Sequence, residues 1–95
     1  MNRLEIENKL LNELISLYQL IFPSNKYIQT LYDLGIINKE NNYYENSYDT
    51  IIRILPKIKL MLTDLDNMKP SFMIKIRMNN IKEYLKELNL YDSEF

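Results

Sequence analysis

The sequence predicts an all-α fold, a compact four-helix bundle formed by a single domain over residues 1–95, and three observations carry that expectation. Leucine, isoleucine and methionine recur at intervals of three and four along most of the chain. Candidate N-cap residues and prolines fall between those runs, where helices start and stop. The single glycine, Gly35, stands at the end of one such run, as a helix terminator would.

The first run places Leu4, Leu11, Ile15, Tyr18 and Phe22 on one stripe and Leu10, Leu14, Leu17 and Ile21 on a second beside it. An apolar arc this broad is expected of a long, well-buried helix. Pro23 ends it, because its ring cannot continue the ladder and it pushes the preceding residue out of the helical region. Ser24 then offers an N-cap for a shorter second helix through about Leu34, with Tyr27, Ile28 and Leu31 facing inward. Gly35 would take the left-handed cap position, with Leu31 and Ile36 making the apolar contact of a Schellman turn. Residues 36–46 admit two forms, a plain loop or a minimal β-hairpin between helices two and three, since Asn41 and Asn42 tolerate the positive φ of a tight turn.

Ser47 is the candidate N-cap of the third helix, and Ile51, Leu55, Ile58, Leu62 and Leu65 form its seam. Pro56 lies within that seam and is expected to kink the helix. On the same wheel Leu60 points nearly opposite the seam and Ile52 to one side. Pro70 is expected in the first turn of the fourth helix, where its missing N–H costs nothing. Ile74, Met78, Ile81, Leu85 and Leu88 give that helix its buried stripe, while Lys75, Lys82 and Lys86 align with Asn79 on another face. Arg77 falls within the apolar arc near Met73, Ile81 and Tyr84, so it must snorkel, pair with an acid or face a partner. Residues 89–95 are expected to fray.

Chemistry is restricted by what the chain lacks. Without histidine or cysteine it has no disulfide, no thiolate, no imidazole base and none of the ordinary zinc ligands beyond carboxylates. Its five serines have no histidine to activate them, and one glycine cannot build a phosphate-binding loop. Two acid pairs occur, Glu5 with Glu7 and Asp64 with Asp66. A calcium loop begun at Asp64 would need glycine at its sixth position and an acid at its twelfth, and meets Lys69 and Lys75 instead. A non-catalytic protein with no cofactor and no metal is therefore expected. The start, MNRLEIENK, is acidic where an export signal needs basic and then apolar residues, and residues 10–22 are interrupted by Asn12, Glu13 and Gln19. They also fall short of the roughly 20 apolar residues that cross a bilayer. A cytoplasmic location with no membrane partner is expected, and the abundance of Asn, Ile, Lys and Tyr suggests an AT-rich bacterial, phage or other mobile-element gene.

The expected function is stoichiometric binding to another protein or to a second copy of the chain, as an inhibitor or regulator. Tyr43, Tyr44 and Tyr48 lie in an asparagine-rich stretch and combine large apolar area with a polar tip. Leu60, with Ile52 beside it, needs a cover that the seam does not provide, and a homodimer through the third helix would supply one. Arg77 is taken as a polar anchor for the same contact. The alternative is nucleic-acid binding. Residues 1–49 carry four bases and seven acids, residues 50–82 seven bases and two acids, and residues 83–95 one base and four acids. Arg53, Lys57, Lys75 and Lys82 of that basic middle, with Lys86 just beyond it, are the candidate phosphate contacts. Helix, Gly35, Ile36-Ile37, polar turn and Tyr43-Tyr44 together resemble the recognition-helix-to-wing segment of winged-helix DNA-binding domains, over about 20 residues, and imply a wing there. The segment departs from that family in charge, with Lys26 and Lys39 against Asp33, Glu40 and Glu45 where phosphate contacts call for Lys and Arg.

Overall fold

The computed structural model describes residues 2–22, 29 and 47–91, and these hold three α-helices and no strand. They are α1 (Arg3–Ile21), α2 (Ser47–Asn67) and α3 (Phe72–Glu87). The all-α expectation is met, with α2 and α3 corresponding to the third and fourth expected helices. Three helices are seen where four were expected. The helix expected at 24–34, its Gly35 cap and the optional hairpin at 36–46 lie outside the described residues.

Helix α1 starts at a cap that the hydrophobic pattern alone does not reveal. The Asn2 side-chain oxygen accepts from the Glu5 N–H at 2.9 Å, and the Asn2 amide reaches back to the Glu5 carboxylate at 3.5 Å. Asn2 is thus a side-chain N-cap, its partner Glu5 being held through the side-chain amide rather than the backbone N–H of a full capping box, and Glu5 also complements the positive end of the helix dipole. At the other end Phe22 is extended, as a residue before proline prefers, and its ring stacks on Tyr18 at 5.6 Å.

The buried face of α1 is Ile6, Glu7, Leu10, Leu11, Leu14, Leu17 and Tyr18. Leu4, expected in the stripe, is exposed, and Ile15 is only half-buried. The core therefore begins later along α1, and it draws on both expected stripes because α1 packs against both α2 and α3. Close approach between α2 and α3 themselves is much sparser. One helix serving as wall for two others needs apolar residues around a wide arc.

Helix α2 contributes Ile51, Ile54, Ile58 and Leu62 to the core, with Leu55 and Leu65 partly buried beside them. Ile54 takes the inner place expected of Leu55, while Ile51, Ile58 and Leu62 of the expected seam are buried as expected. The helix runs as a single element through Pro56, which is exposed. The Ile52 carbonyl, deprived of its i+4 donor, thus belongs to the outer side, where water can serve it.

The link to α3 differs from the expectation. Met68 donates to the Leu65 carbonyl and Lys69 to that of Asp66, at 3.1 and 3.4 Å, and Lys69 is left-handed with φ 52°. A second Schellman bond would need an N–H at residue 70, which proline lacks. Pro70 therefore closes the turn rather than opening the helix, and Ser71 occupies the N-cap position. Met78, Ile81, Leu85 and Leu88 are buried as expected. The chain beyond them does not fray at once. Asn89, at φ 60°, donates to Lys86 at 2.9 Å and Leu90 donates to Leu85 at 2.8 Å, a complete Schellman motif whose Leu90 packs on the core with Tyr91.

Candidate functional site

Two polar links fix α1 against its neighbours. Glu7 and Glu13 are six residues apart, about 120° around a helix, so Glu7 falls within the buried arc, between Leu14 and Tyr18, while Glu13 lies at its edge beside Ile6 and Leu17. Glu7 is buried at the start of α2, where the Ser47 hydroxyl donates to its Oε1 at 2.7 Å and Arg3 Nε lies 3.3 Å from its Oε2. The Arg3 guanidinium also sits 4.2 Å above the Tyr48 ring, a cation–π distance. Glu13 holds Arg77 Nη1 with both carboxylate oxygens, at 3.2 and 3.1 Å. Among the described residues no buried side-chain nitrogen or oxygen lacks a hydrogen-bond partner.

These contacts place most of the expected site residues. Tyr48 is half-buried under Arg3 in the first turn of α2, while Tyr43 and Tyr44 lie outside the described residues. Arg77 takes the acid-paired course, joining α3 to α1, and stays partly exposed. Ser47, expected as a side-chain cap, lies inside α2 and spends its hydroxyl on Glu7. Leu60 is 63% exposed on the outer side of α2, and Ile52 is also exposed. Of the candidate phosphate contacts, Arg53, Lys57 and Lys75 are exposed, Lys82 pairs with Asp66 at 3.2 Å and Lys86 with Glu83 at 3.6 Å. The fold does not gather the five into one group of unpaired cations. The acid pairs separate too. Glu5 sits in the first turn of α1 with its N–H on the Asn2 cap, Glu7 is buried, and Asp66 is engaged by Lys82.

The most exposed apolar side chains are elsewhere. Phe72 is 76% exposed and Met68 74%, with Met73 and Ile76 exposed beside them at the start of α3. At about 100° per residue, 72 and 76 fall on the side of the helix opposite Ile74, Met78, Ile81 and Leu85, and 73 on the flank between the two sides. Met73, expected within the inner arc near Arg77, is exposed on that flank. A second apolar side on one helix was present in the sequence as Phe72–Ile76 at i,i+4, and the stronger inner stripe masked it. Methionine and phenylalanine make an adaptable contact surface, and Lys69 and Lys75 border it with no acidic residue in the first turn of α3.

Among the described residues no helix is long and apolar enough to cross a membrane, and no group of three or more acidic side chains is placed to hold a metal ion. Burial in the core raises the Tyr18 phenol above its ordinary value of 10.0. No protein-family model, curated protein or solved structure matches the chain.

Proposed function

We propose that the protein works without catalysis, as a helical module that binds another protein or its own copy in fixed stoichiometry. The observation that carries this reading is the outward apolar corner of Met68, Phe72, Met73 and Ile76, exposed at the start of α3 and in the turn before it and outside the core cluster. Leu60 and Ile52 on α2 provide a smaller second surface. Residues 24–34 complete the four-helix bundle in this reading, and Tyr43 and Tyr44 remain candidate contacts. The composition suits a cytoplasmic inhibitor or regulator carried on a mobile element.

An affinity capture from host lysate tests it. Wild-type protein retains a partner at constant ratio, and a folded Phe72→Ser/Met73→Ser/Ile76→Ser variant loses it. Equal retention by both, or no partner together with a strict monomer, removes the reading. Binding to generic duplex DNA that strengthens steeply as salt is lowered, and weakens on removing Arg53 and Lys57, would move the assignment to nucleic acid.

A further inference from the structure

We infer that the apolar corner at the start of α3 receives an amphipathic helix of another protein, one that carries Asp or Glu beside its apolar stripe. The inference rests on the protein-binding reading and names the chemistry of the partner. Met68, Phe72, Met73 and Ile76 supply the apolar area, and all four are exposed. Two exposed lysines accompany them. Lys75 lies three residues after Phe72, about 60° from it around the helix, and Lys69 stands in the turn between Met68 and Phe72.

The pairing of the surrounding charges selects the partner. The other three cations of α3 are engaged within the molecule, Arg77 by Glu13, Lys82 by Asp66 and Lys86 by Glu83. Those bonds also occupy Asp66, two residues before Met68, and Glu83, which lies with Lys86 on the outer side of α3 about two turns beyond Ile76. On α1, Glu5 is tied to Asn2 and Glu7 to Arg3 and Ser47. Asp64 is about 160° around α2 from Asp66, on the side away from the Lys82 bond, and Glu87 is roughly 16 Å along α3 from Ile76. The first turn of α3 holds no acid. Among the described residues Lys69 and Lys75 make no ion pair, so the corner sets uncompensated positive charge beside its apolar area.

An apolar helix flanked by acids complements both features. A phosphate backbone would meet the lysines and leave four apolar side chains in water, and a helix flanked by bases would meet like charge. In such a contact the buried apolar centre supplies the affinity, while the rim charges set the choice of partner and the response to salt.

Two fluorescent helical peptides, alike in a leucine stripe and differing only in Glu or Lys beside it, decide the matter by anisotropy against the full chain. The Glu peptide should bind at least about fivefold more tightly, and its advantage should shrink as salt is raised. Lys69→Glu with Lys75→Glu should reverse the preference, and Phe72→Ser with Ile76→Ser should remove binding of both peptides. Far-UV spectra should stay unchanged in each variant, because these residues lie outside the core. Equal affinities, a preference that salt leaves untouched, or one that survives the lysine reversal would overturn the inference. So would vesicles of anionic lipid that retain the chain through Phe72 while the Glu peptide does not bind. A lysate partner lost with Phe72→Ser/Met73→Ser/Ile76→Ser yet kept by Lys69→Glu/Lys75→Glu would sink the acidic partner alone and leave the broader binding reading standing.

Discussion

Lys69 and Asn89 are the two residues other than glycine that hold positive φ among those described, and each ends a helix. Asparagine visits that region with little penalty, whereas a lysine there costs about 1 kcal/mol or more. Lys69→Gly should raise the urea midpoint, by a net of about 0.5 kcal/mol once the extra freedom of glycine in the unfolded chain is set against the relieved strain. A lower midpoint would mean that the stem of Lys69 contributes packing. Tyr18 carries a pH effect of definite sign. Its folded phenol is raised, so its contribution is intact below 10.0 and is lost as the pH climbs through the folded value, because the unfolded chain ionises first. Tyr18→Phe should flatten the fall in melting temperature above that pH. At this scale the sequence was legible where a rule is local. Pro23 announces the end of α1, and Phe22 is extended as its place before a proline dictates. The burial of Glu7 was not legible, since it depends on Ser47 arriving from 40 residues away.

At the scale of the helices, the contact between α1 and α2 has a polar centre. Ser47→Ala should destabilise by about 1–2 kcal/mol, because Glu7 Oε1 stays buried and loses its donor. Adding Glu7→Met should return much of that loss, as replacing both partners by apolar groups often does, and urea unfolding of the single and double variants measures it. Across the other flank Arg77 is 39% exposed, so water screens its bond to Glu13. A double-mutant cycle with Arg77→Met and Glu13→Gln should find a coupling of about 0.5–1 kcal/mol. The helical runs themselves were legible from period, and α3's inner stripe of Met78, Ile81, Leu85 and Leu88 was placed correctly. The outer corner was not. Phe72 and Met73 resemble core residues when counted by type, and only the position of the opposing helix distinguishes inside from outside.

For the whole molecule, α1 is the shared wall. Leu14 is fully buried at the middle of its arc, and Leu14→Ala should cost about 2–5 kcal/mol through lost transfer energy and the cavity left behind. A peptide of residues 47–91 should have little stable helix by circular dichroism, since α2 and α3 have sparse direct packing and would lose their common support. Substantial cooperative melting of that peptide would show that the pair holds itself. The all-α class was legible because it follows from period and from the lack of strand signals. The central role of α1 was foreshadowed by its two stripes, but which helices would occupy them depends on long-range packing that no local pattern encodes.

That arrangement has a kinetic cost. A bundle made of neighbouring hairpins can zip up from local encounters, whereas here α1 meets α3, one of its two described apolar mates, only after the intervening α2 has been made. Nucleation must therefore close a long loop before much burial rewards it, so refolding should be slower than for a helical hairpin of equal stability. In the interval the nascent α1 exposes a leucine-rich surface, and a cellular holdase would have its best opportunity there.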